Sequence, residues 1–86
     1  MLNLIYAPIF LKQASDFESS LQEEVSEKIT LFKDKNNHKS LKVHKLHGGL
    51  RDRYSFSVNY KIRIVFRYLS KNEVVLLGVG DHDLYK

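Results

Sequence analysis

The spacing of apolar residues changes partway along the chain from three-or-four to two, and that one change restricts it to folds that pack helices against a sheet. Phe10, Ala14, Phe17, Leu21, Val25, Ile29 and Phe32 step by three or four residues, which lines them along one helical stripe. Further on, Tyr54, Phe56 and Val58 alternate with Arg53, Ser55, Ser57 and Asn59, and Ile62, Ile64 and Phe66 alternate with Lys61, Arg63, Val65 and Arg67. Side chains of a strand point to opposite faces in turn, so each of these runs reads as a strand with one buried face. Val74-Val-Leu-Leu-Gly-Val79 is apolar on both sides, as expected of a strand covered on both faces.

Punctuation supplies the boundaries. Asn3 to Tyr6 is a short alternating run that stops before Pro8, a residue suited to the first position of a helix. Ser20-Leu-Gln-Glu23 has capping-box spacing and divides the helical stripe into two helices, at about 8 to 18 and 20 to 34. Ser15-Asp-Phe-Glu18 has the same spacing and is the alternative start of the second helix. Lys35 to Gly49 shows neither period and reads as a loop. Turns are expected near Asn59-Tyr60 and at Ser70-Lys-Asn72. The expectation is an α+β domain: a strand, two helices, then a three-stranded antiparallel meander. The helices pack on one face of a mostly antiparallel sheet, and the other face is left at least partly open.

With 86 residues there is room for one core, so residues 1–86 are expected to form a single domain. The absence of cysteine excludes a disulfide framework and thiolate metal ligation. The N-terminal segment has no basic leader, and no apolar run approaches the roughly 20 residues of a membrane helix, so a cytoplasmic protein with no membrane contact is expected. The net charge is +4 and unevenly spread. Asp16, Glu18, Glu23, Glu24 and Glu27 lie in the first third, whereas Lys33 to Arg67 carries most of the positive charge and His38, His44 and His47. One electropositive surface is therefore expected, suited to an anionic partner.

Several short motifs follow one another in this order: His38-Lys-Ser-Leu41, Leu41-Lys-Val-His44-Lys-Leu-His-Gly48, Arg51-Asp-Arg-Tyr-Ser-Phe56, Tyr60-Lys-Ile-Arg63-Ile-Val-Phe66 and Gly80-Asp-His82-Asp-Leu-Tyr85. With the element order, they make nearly the whole chain resemble the RelE/ParE superfamily of bacterial toxins, close to its RNA-cleaving branch. The resemblance implies the toxin of a type II toxin–antitoxin pair, partnered by a cognate antitoxin in a hetero-oligomer. It also implies a metal-independent and cofactor-free endoribonuclease that cuts mRNA on the ribosome through attack of the ribose 2′-hydroxyl on the adjacent phosphate. The same fold serves toxins that inhibit DNA gyrase, so fold alone leaves that alternative open.

Cleavage of this kind needs a base for the 2′-hydroxyl proton, an acid for the leaving oxygen, and positive charge on the phosphate. Histidine and arginine are suited to these tasks. The resemblance assigns the catalytic set to His82, with Tyr85 beside it, together with His44 and Arg63; the alternative for Arg63 is a structural role, paired with a carboxylate such as Asp52. Lys42, Lys45, His47, Arg51, Arg53 and Lys61 are the expected RNA-binding residues, holding the phosphate backbone by charge. Two departures from the family pattern stand out. Tyr85 follows His82 by three residues where four are usual, and Ser57 and a residue near Lys61 stand where histidine-rich members have a further histidine and an aspartate. A third reading is a non-catalytic RNA-binding module that stacks bases on Tyr54, Phe56 and Tyr68. Their alternation with basic residues points them into the core instead.

Overall fold

The computed structural model describes residues 1–50 and 52–81 of the chain. Strand β1 (Asn3–Tyr6) leads into helices α1 (Pro8–Ser15) and α2 (Ser19–Phe32), and these are followed by β2 (His44–Lys45), β3 (Tyr54–Ser57), β4 (Arg63–Ser70) and β5 (Glu73–Gly80). The strands form one sheet in the order β1-β5-β4-β3-β2. Strands β2 to β5 pair antiparallel with their neighbours, and β1 lies parallel to β5. The α+β architecture expected from the periodicity is present.

Two details differ from expectation. The segment after α2 is not simply a loop, because His44–Lys45 adds a fifth strand at the edge of β3. Two residues are too few to display an alternating pattern, so nothing local announces it. The helix ends also differ. α1 stops at Ser15, and α2 begins at Ser19 with Glu18 in the cap position and no side-chain cap. The capping box at Ser20 does not form, since Ser20 is already inside the helix. Ser15 is no cap for α2 either; its hydroxyl donates to the Lys12 carbonyl within α1. Gln22 secures the corner instead. Its side-chain amide lies 3.0 to 3.2 Å from the carbonyls of Ala14, Ser15 and Phe17, which satisfies groups that α1 leaves open at its C-terminus.

Phe10, Val25, Ile29 and Phe32 from the helical stripe are buried, and Ala14, Phe17 and Leu21 pack at the margin. They meet Phe56, Ile64, Phe66, Val74, Leu76 and Val79 from one face of the sheet. Phe32 is the keystone: its ring stacks on Phe56 at 4.3 Å and meets the edge of Phe66 at 4.7 Å. On β5, Val74, Leu76 and Val79 do not follow a strict period of two. A bulge resolves this, with the pairing stepping from Val65↔Gly78 to Phe66↔Leu76 and leaving Leu77 as the extra residue, so that all three face the core.

The segment between α2 and β2 is anchored at several points. Asn37 donates to the Leu31 carbonyl at 2.9 Å, and His38 stacks on Phe32 with centroids 4.7 Å apart. The Nε2 of His38 lies 2.8 Å from the Phe32 carbonyl. A carbonyl only accepts, so Nε2 carries the proton and caps the end of α2. His38 is thus a structural histidine.

Candidate functional site

The face of the sheet turned away from the helices collects the polar and basic side chains of β3 and β4. Phe56 pairs with Ile64 on the core side, so the residues that alternate with them, Ser55, Ser57, Arg63 and Val65, share the opposite face. His44 joins this face through its pairing with Ser55, and Arg67, between core-facing Phe66 and Tyr68, joins it on β4. The centre of the face is not solvated. Ser55 is completely buried and its neighbour Val65 is buried too, where alternation alone would leave Ser55 exposed.

His44 is held by its own loop. Lys42 has φ 59°, a left-handed conformation uncommon for a residue with a side chain. Its carbonyl lies 2.8 Å from His44 Nδ1. That nitrogen therefore bears the proton of the neutral ring, and Nε2 is left as the acceptor. Nε2 in turn stands 3.4 Å from the Ser55 hydroxyl. His44 as a residue is exposed, while the nitrogen able to accept a proton is turned toward the Ser55 hydroxyl.

Arg63 lies directly across from Ser57, and its Nη1 donates to the Asn59 carbonyl at 2.9 Å. The alternative that paired Arg63 with Asp52 is not what forms: Arg63 bonds to Asn59, and Asp52 lies 3.8 Å from Arg53. That pair is well exposed and contributes about 1 kcal/mol or less. Guanidinium has five donors, so the bond to Asn59 fixes the group while leaving it capable of gripping an anion. From strand spacing and residue rise, the Cα atoms of His44 and Arg63 are roughly 12 Å apart.

The other expected residues divide by position. Lys42, Lys45 and His47 are exposed around β2, but Lys45 follows His44 along the strand and pairs with Tyr54, which packs on the core side. Lys45 therefore faces away from His44. Lys61 is exposed in the turn before β4, its backbone N–H bonded to Asn59 Oδ1. Arg51, His82 and Tyr85 lie outside the described residues. Tyr54 and Tyr68 pack against the core cluster and Phe56 is fully buried, which removes the base-stacking platform of the RNA-binding alternative. Burial, and next the neighbouring Tyr54, push the Tyr68 phenol above its ordinary value.

The acidic residues fall on a different surface. Glu18, Glu23, Glu24 and Glu27 line an open hollow along α2, with Asn59 at its edge. Sequence reasoning missed Ser55, which was read as solvent-facing, and Asn59, which was read only as a turn residue. No helix among the described residues is long and apolar enough to cross a membrane.

No family model and no curated protein matches the chain. Solved structures do. The heterotetrameric YoeB–YefM toxin–antitoxin complex of Staphylococcus aureus matches with TM-score 0.74 at 19% identity, covering 95% of this chain and 98% of that one. The RelBE2 toxin–antitoxin complex of Mycobacterium tuberculosis matches with TM-score 0.74 at 14% identity, covering 94% and 98%. YafQ from Escherichia coli matches with TM-score 0.75 at 14% identity, covering 99% and 98%. The fold is the one shared by RelE/ParE-type toxins, in agreement with the resemblance read from the motifs.

Proposed function

We propose that this chain is the toxin of a type II toxin–antitoxin pair and that it cleaves mRNA on the ribosome. The observation that carries the reading is the pinned, exposed His44 on the same sheet face as Arg63. In the proposed reaction His44 Nε2 takes the proton from a ribose 2′-hydroxyl. The freed oxygen attacks the adjacent phosphorus, and the 5′-oxygen of the next nucleotide leaves with a proton from His82, with Tyr85 beside it. The products are a 2′,3′-cyclic phosphate and a 5′-hydroxyl. Arg63 offsets the charge that builds on the phosphate. Lys42, His47, Arg51, Arg53 and Lys61 hold the flanking backbone, a contact that weakens with salt; Lys45, turned to the other face, is not part of this set.

The toxin fold, seen in complexes with antitoxins, supports a cognate antitoxin as the protein partner. An acidic segment is the complement of the basic sheet face. The test is induction of the chain alone in bacteria with mapping of mRNA 5′ ends. Growth arrest with cuts inside translated frames, absent when translation of that message is blocked, supports the reading. Arrest with intact mRNA and a DNA-damage response would assign the chain to gyrase inhibition instead.

A further inference from the structure

Resting on the assignment of Arg63 to the phosphate, we infer that Glu24 and Asn59 are positioning residues that preset the Arg63 guanidinium from helix α2 through the turn ahead of β4. Five hydrogen bonds carry the link. Glu24 Oε1, on α2, accepts from Asn59 Nδ2 at 2.8 Å. Asn59 Oδ1 accepts from the backbone N–H groups of Lys61 and Ile62, both at 2.8 Å, which locks the turn between β3 and β4. Val58 N–H closes the same hairpin on the Ile62 carbonyl at 2.8 Å. The Asn59 carbonyl then receives Arg63 Nη1 at 2.9 Å.

The order of these bonds matters. With both turn amides on Oδ1, the amide of Asn59 can only present its NH2 to α2, and there a carboxylate accepts it in a charge-assisted bond. Asn59 is half-buried and far from Glu24 in sequence, so the bond is a tertiary strut between helix and turn, not a local cap. A free arginine side chain loses rotamer entropy when it is ordered on a ligand. A guanidinium already tethered at the Asn59 carbonyl loses less, and its remaining donors keep a constant aim. Glu24 touches neither Arg63 nor the sheet face of the candidate site, so its influence on cleavage has to pass through Asn59.

The experiment compares Glu24→Gln, which keeps an acceptor for Asn59, with Glu24→Ala, which removes it, each also combined with Arg63→Lys. Single-turnover cleavage on programmed ribosomes and nitrogen NMR of the Arg63 guanidinium are the two readouts, with thermal melting as the control for fold. Glu24→Gln is expected to stay within about twofold of wild type and Glu24→Ala to fall by about tenfold, with slowed guanidinium rotation lost only in the latter. In the Arg63→Lys background Glu24→Ala is expected to cost nothing further. Unchanged Arg63 resonances in Glu24→Ala overturn the inference. An equal loss of rate in both backgrounds overturns it as well. Should the wild type itself not cleave RNA, the proposed function fails while the resonances still decide the tether on their own.

Discussion

The Nδ1 of His44 lies 2.8 Å from the carbonyl of Lys42, two residues earlier on a left-handed backbone turn. This contact selects the tautomer of the neutral ring, and the tautomer leaves Nε2 as the nitrogen able to accept a proton. A histidine on a flexible loop would sample both ring orientations. Here the backbone of Lys42 has removed one of them.

His44→Gln is therefore expected to keep the fold, because the side chain is exposed at a two-residue edge strand, while abolishing proton acceptance. Loss of a general base costs about 10² to 10⁴ in rate. Single-turnover cleavage on programmed ribosomes measures it. A rate within a few-fold of wild type would remove His44 from the reaction.

His82→Gln tests the partner role. It retains size and hydrogen bonding but no group that titrates near neutrality, and a fall of about 10² to 10⁴ in cleavage with undiminished antitoxin binding is expected. Normal cleavage by a variant that still binds antitoxin would shift the acid role to His47 or the arginines.

Phe32→Ala removes the ring that stacks on both Phe56 and His38. Phe32 is fully buried, so the expected destabilisation is about 3 to 5 kcal/mol, a large share of what a domain this small possesses. Urea unfolding followed by circular dichroism reads it. A loss under 1 kcal/mol would mean that the core re-packs around the gap.

Tyr68 supplies a pH test with a definite sign. Its phenol ionises higher in the folded chain than in the unfolded one, because burial and then Tyr54 disfavour the anion. The folded state thus holds the proton more tightly. The contribution to stability is complete below the ordinary phenol value and is lost as pH rises through the folded one. Wild type is expected to lose more stability than Tyr68→Phe between neutral and strongly alkaline solution. Superimposable stability curves would contradict this.

The helical stripe from Phe10 to Phe32 and the alternation through β3 and β4 were legible because each is a local repeat whose period matches the geometry that buries it. The apolar run of β5 likewise announced an inner strand, though not its parallel neighbour β1, since pairing partners leave no mark on either strand alone. Basic character, the histidines and the motifs of the resemblance singled out His44 and Arg63 as candidates. What they touch was another matter. The strand at His44–Lys45 exists only because β3 offers it an edge, and it turns His44 and Lys45 to opposite faces although they are adjacent in sequence. Ser55 is buried because neighbouring strands enclose it, and Arg63 bonds to Asn59 and not to Asp52 because the turn ahead of β4 brings a carbonyl within reach. Periodicity records how each residue relates to its own element. Tautomer, burial and hydrogen-bond partner depend on groups far away in the chain, and only the folded arrangement brings those groups together.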